Sequence, residues 1–188
     1  STGVIGVPLP LDKIKNGIEI GFPQLSENGW DDAANAIMTT DTVPKKATVQ
    51  LTLGGATITI SGIAKGAGMI APNMATMLSF ITTDAKLSKE QTQSALKKAV
   101  VQSFNCITVD GDMSTNDTVL FLANGAAENQ NLSESELETF QTTLNALCES
   151  LAKQIARDGE GATKLITIHV THASSFDNAR TIGLSVAN

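Results

Sequence analysis

Residues 47–63, ATVQLTLGGATITISGI, constrain the fold more than any other stretch of the chain. Val49, Leu51 and Leu53 alternate with polar residues before Gly54-Gly55, and Ile58 and Ile60 do so after it. That is the pattern of two strands joined by a tight primed turn. The KGAGMIAPNM loop then leads into TMLSFITTDA, whose β-branched and aromatic residues suit a buried strand with Thr76 at its start. TVLFLANGAA reads as another strand with a turn, and KLITIHV and ARTIGLSVA as two closing strands.

Helices are marked by their starts. Ser88-Lys89-Glu90-Gln91 and Ser133-Glu134-Ser135-Glu136 have the form of capping boxes. The first continues at helical spacing through Ala95, Leu96, Ala99, Val100 and Phe104. The second carries a stripe of Leu137, Phe140, Leu144, Leu147, Cys148, Leu151 and Ile155 and ends at Gly159. A short helix is expected over DDAANAIM with Asp31 as its N-cap, and TGVIGVPLPLDKI reads as a loop with apolar anchors. Strands and helices without strict βαβ alternation predict an α+β fold, with helices packed on mixed or antiparallel sheets. No internal repeat and no linker interrupts it.

With 188 residues, 41% of them hydrophobic and 17% charged, the chain can bury the core of one domain or one and a half. A net charge of −6 and 13 Lys plus Arg, none clustered, argue against nucleic acid or an anionic membrane as partner. No apolar run approaches the roughly 20 residues a membrane span needs. STGVIGVPLP lacks the basic and apolar regions of a signal peptide, so a soluble protein is expected. Cys106 and Cys148 stand apart without CxxC spacing and read as buried free thiols in a reducing compartment, the cytoplasm.

Several motifs touch chemistry. Gly66 to Ala71, GAGMIA, fits a loose dinucleotide pattern, but Pro72 and a strand follow instead of a helix, which leaves a loop of close backbone approach. DGDMS begins like a calcium loop, yet Thr115 and Phe121 stand where Gly and Glu are required; a turn stiffened by Asp and Asn side chains is the plainer reading. The imidazoles of His169 and His172 would diverge on a strand, so no metal is expected. Thr76 either begins an ordinary buried strand or becomes a new N-terminus by cleavage of the Ala75–Thr76 bond. In the second case its own α-amino group, with an unperturbed pKa of about 7.7–8.0, is the base that activates its hydroxyl.

Six ordered motifs bear on that choice: STGVIG, LPLDKI, AIMTTDTVPK, GIAKGAGMIAPNMATML, DGDMSTNDT and ARDGEGATKL. By them the chain resembles the ornithine acetyltransferase / glutamate N-acetyltransferase family of arginine biosynthesis. The resemblance implies a self-processing, N-terminal-nucleophile-like fold of layered sheets flanked by helices. It implies a precursor cut at Ala75–Thr76, with residues 1–75 the C-terminal part of an α chain and 76–188 the N-terminal part of a β chain. Thr76 is then the nucleophile, Thr2 and Gly3 form the oxyanion hole, and Thr39, Lys65, Thr76 and Glu160 bind substrate. The implied reaction is ping-pong transfer of acetyl from N-acetylornithine to glutamate, with no cofactor or metal, in an α2β2 assembly. Acetyl-CoA as a second donor is left open. Family members are about twice as long, so the chain reads as their central piece. A related self-processing aminopeptidase or hydrolase, and an inert truncated piece, are the alternatives.

Overall fold

The alternation about Gly54-Gly55 produces its hairpin. In the computed structural model of the chain, which describes residues 6–71 and 77–188, Lys45–Leu53 (β1) and Ala56–Lys65 (β2) pair antiparallel, from Lys45↔Ala64 to Leu53↔Ala56. Gly54 and Gly55 turn at φ +57° and +75°, backbone that glycine adopts without steric cost. Leu78–Thr83 (β3) joins the other edge of β2 antiparallel, and Thr118–Ala123 (β4) runs parallel to β3. The result is a four-stranded mixed sheet in chain order. Residues 72–76, including the expected strand start at Thr76, lie outside those described.

A parallel pair needs a crossover, and Lys89–Gln102 (α3) lies within it. α3 and Glu134–Arg157 (α4) pack against each other and on the sheet. The stripe on α4 buries Phe140, Leu144, Leu147, Cys148, Leu151 and Ile155 with Ile58, Ile60 and Ala64 of β2 and Ile81 of β3 in one apolar cluster. Both capping boxes close: Ser88 and Ser133 accept from the third-residue amide, while Gln91 and Glu136 reach back to the cap amide. Glu136 also accepts from Gly54 N at 2.7 Å, which ties the start of α4 to the hairpin turn. The architecture is therefore α+β, a sheet flanked by helices.

The described residues up to Ala33 form one compact unit and those from Ala34 on form another. Some expectations about single elements are corrected. The first unit holds a helix, Leu11–Gly21 (α1), which takes over the end of the expected loop from Leu11 to Ile14. Pro10 stands just before the helix and Asp12 in its first turn, so the proline marks a helix start instead of irregular chain. Trp30–Ala36 (α2) begins one residue before Asp31, which thus sits in the first turn and is not the cap. KLITIHV forms no strand, and ARTIGLSVA lies in a helix, Phe176–Ala187 (α5), capped by Ser175 through a 3.1 Å bond from Asn178 N. His169 and His172 therefore lie in irregular backbone, and the strand argument about their directions does not apply. Cys148 is buried, but Cys106 is exposed at the end of a 3-10 turn, its thiol donating to the Val101 carbonyl.

Candidate functional site

Three segments of the 34–188 unit are tied together where β2 ends at Lys65. The first is the bend before β1, the second the glycine loop after β2, and the third the chain leaving α4. Their junction is an ion-pair node. Lys45 Nζ lies 2.5 Å from Asp41 Oδ1 and 2.5 Å from Asp158 Oδ2, with the side chains of Lys45 and Asp41 wholly buried. Asp41 Oδ1 also accepts from Gly66 N at 2.7 Å and Oδ2 from Thr39 N at 3.1 Å. Asp158 accepts from Thr42 N at 2.9 Å, from Val43 N and from the Thr42 hydroxyl.

One ammonium thus serves two dehydrated carboxylates, and backbone amides take up the remaining negative charge. Burial raises the pKa of Asp41, but bonds from the Gly66 amide, Lys45 and the Thr39 amide outweigh it and hold the group below its ordinary value. Burial acts on Asp158 in the same sense, and the Lys45 and Thr42 bonds overcome it to bring the carboxyl to about 2. Asp158 follows the last turn of α4, and its amide caps the Gln154 and Ile155 carbonyls there.

The glycine loop is held along its length. Glu160 N donates to Ala67 O at 2.7 Å. Gly68 leaves its side-chain space to the Glu160 carboxylate, since a Cβ there would lie 2.6 Å from Cδ and 2.7 Å from both oxygens. Asp110 accepts from Met69 N at 2.5 Å and from Ile70 N at 2.9 Å. Beyond residues 72–76, Asp117 Oδ1 accepts from Met77 N at 2.8 Å, and Oδ2 is buried with no partner among the described residues. Burial pushes the Asp117 carboxyl up, against the Met77 amide bond and the Lys65 charge. The DGDMSTND segment stiffens itself as expected, with Asp112 N on Asp110 and Asn116 N on Ser114. Its two outer carboxylates also grip the chain on both sides of residues 72–76.

Lys65 is 4% exposed. Thr39 and Glu160 are exposed in the segments bonded to Asp41 and Ala67. A buried ammonium and a carboxylate at two points of one glycine loop suit a ligand that carries both charges. Thr2, Gly3, Ala75 and Thr76 lie outside the described residues. Asp41, Lys45, Asp117 and Asp158 were not singled out from the sequence, and Asp110 was read only as the start of a stiffened turn. They stand inside the quoted motifs, where a run of acids beside glycine and threonine is the available signal. Among the described residues no group of three or more His, Cys, Asp or Glu converges as a metal site, and no helix is long and apolar enough to cross a membrane.

Known proteins resemble the chain throughout. The arginine biosynthesis bifunctional protein ArgJ of Methylococcus capsulatus is 52% identical over 190 residues, covering 100% of this chain and 47% of that protein. The protein of the same name from Symbiobacterium thermophilum is 55% identical over 182 residues, covering 96% and 45%. A crystal structure of arginine biosynthesis bifunctional protein argJ from Bacillus halodurans is 52% identical, with a TM-score of 0.43 over 45% of this chain and 41% of that one. The chain spans about half the length of the curated relatives it matches. The ArgJ family model matches residues 1–188, and the chain belongs to the ArgJ family.

Proposed function

We propose that the protein containing this chain is a glutamate N-acetyltransferase of arginine biosynthesis. It cuts itself between Ala75 and Thr76, so that residues 1–75 end an α chain and residues 76–188 begin a β chain, paired as α2β2. The Thr76 hydroxyl attacks the acetyl carbonyl of N-acetylornithine, with the Thr76 α-amine taking its proton. The amide C–N bond breaks, the proton passes to the leaving amine, and ornithine departs. Thr2 and Gly3 stabilise the oxyanion. The amine of glutamate then attacks the acetyl ester and regenerates Thr76. Lys65 pairs with the substrate's α-carboxylate, and Thr39 and Glu160 complete the amino-acid site. The reaction needs neither metal nor cofactor, acetyl-CoA is a candidate second donor, and the free thiols fit the cytoplasm.

The observation that carries this reading is the buried Lys65 next to Gly66, whose amide Asp41 joins to Thr39, in a chain that matches the ArgJ family end to end. In the intact protein, incubation with N-acetylornithine and no glutamate should release one ornithine per active site and then stall. Mass spectrometry should place one acetyl group on the peptide beginning with Thr76, and glutamate should discharge it. Thr76→Ala should remain uncut on a denaturing gel and release no ornithine. Continuous release with free acetate would instead identify a hydrolase, and cleavage of Thr76→Ala at the same bond would remove Thr76 from its role.

A further inference from the structure

We propose that Asp41, Lys45 and Asp158 form a positioning network that sets the spacing of the Thr39, Lys65 and Glu160 segments and thereby the affinity for the amino-acid substrate. The proposal rests on the function given above. Its geometry does not depend on that function. Lys45 opens β1 opposite Ala64, one residue before Lys65, so the node sits at the open end of the hairpin. Asp41 bonds the amide of Thr39 and the amide that follows Lys65. Asp158 bonds the 42–43 backbone and stands two residues before Glu160, whose amide in turn holds Ala67. Asp41 therefore spends both oxygens on amides beside candidate substrate residues, and Asp158 spends its own on the backbone and hydroxyl of the 42–43 segment.

An arrangement serving stability alone has no need of this. A buried ion pair gains little over apolar residues of the same volume, because dehydrating three charges costs nearly what their attraction returns. What the charges add is direction: carboxylate bonds to amides from separate segments fix where each segment stands, as apolar contacts do not. Substrate-binding side chains on such segments lose affinity when the spacing drifts, and the loss falls on ground-state binding. None of the three charged groups is placed in contact with the reacting atoms, so their effect passes through Thr39, Lys65 and Glu160.

Two variants of the intact protein test this, read by steady-state kinetics and by amide hydrogen exchange. Asp158→Asn removes one charge at constant shape and should raise KM for N-acetylornithine about tenfold or more, with kcat changed less than about threefold. Thr42→Val removes only the exposed hydroxyl on Asp158 and should raise KM in the same direction by about threefold, which keeps a readout if Asp158→Asn accumulates poorly. Asp158→Glu, which restores the charge, should recover part of the affinity. Exchange of the 39–45, 65–71 and 158–161 amides should quicken together in Asp158→Asn. Unchanged KM in both folded variants, with only a lower melting temperature, would overturn the proposal. A wild-type protein that transfers no acetyl group would sink the functional reading by itself. Exchange would then decide the network: concerted quickening supports it, and quickening confined to 158–161 refutes it.

Discussion

Gly68 and the Glu160 carboxylate share a space with room for one side chain. Gly68 has no left-handed backbone to protect, and the three atoms nearest to an alanine Cβ there all belong to Glu160, at the flexible end of an exposed residue. Gly68→Ala should therefore push the carboxylate away and leave the fold nearly untouched, within about 0.5 kcal/mol. Turnover should still fall by an order of magnitude or more, because a misplacement of about 1 Å can cost up to about a hundredfold. Kinetics and chemical denaturation on the same sample separate the two effects, and full activity in Gly68→Ala would strip Glu160 of its substrate role. Close approach at this loop was legible in GAGMIA, since glycine spacing signals it. The approaching group was not, because nothing local to Gly66 or Gly68 specifies a carboxylate that arrives at the end of α4. Lys45 was hidden for the same reason. In AIMTTDTVPK it reads as a surface cation, and only Asp41 and Asp158 together explain its burial.

Between elements, β2 and α4 meet in a tight seam at Gly62. A Cβ on Gly62 would stand 2.9 Å from Leu151 Cδ1, 3.2 Å from Leu147 Cδ2 and 3.5 Å from Ile81 Cγ1, and all three side chains are buried. Gly62→Ala should destabilise by about 1–3 kcal/mol through overpacking. Adding Leu151→Val should recover part of that loss, so the double variant should be more stable than the two single losses predict. Strict additivity in urea denaturation would mean that the helix does not press on the sheet there. α3 and α4 were readable because a capping box and an apolar stripe are local signals, and the hairpin because its turn glycines and alternation agree. The C-terminal segments were misread where those signals conflict. Thr181 to Val186 alternate as a strand does, yet the Ser175 cap and Asp177 in the first turn begin a helix. KLITIHV alternates as well, but a strand exists only if a ladder partner is present. Among the described residues the sheet ends at β1 and β4.

At the scale of the whole molecule, the shifted groups set both ends of the pH range over which the fold is stable. The Asp158 carboxyl stands at about 2 against an ordinary 3.8, and Asp41, Glu90 and Glu136 are also lowered. Between about pH 4 and pH 2 the unfolded chain binds protons that the folded one refuses, so stability is complete above the unfolded value and drains away on acidification. Asp117, raised by burial, works in the opposite sense but stands against four groups. At the alkaline end, burial lifts the Cys148 thiol from 9.0 to about 12. The unfolded chain then releases a proton that the folded one keeps, and stability falls as pH rises above about 9. Urea midpoints of the intact protein should therefore hold a plateau from about pH 5 to 8 and decline on both sides. Asp158→Asn should lower the plateau and flatten the acid limb, while Cys148→Val should flatten the alkaline limb and leave the acid limb unchanged. An acid limb equally steep in wild type and Asp158→Asn would show that protonation elsewhere governs acid unfolding, and would separate the Lys45 node from it.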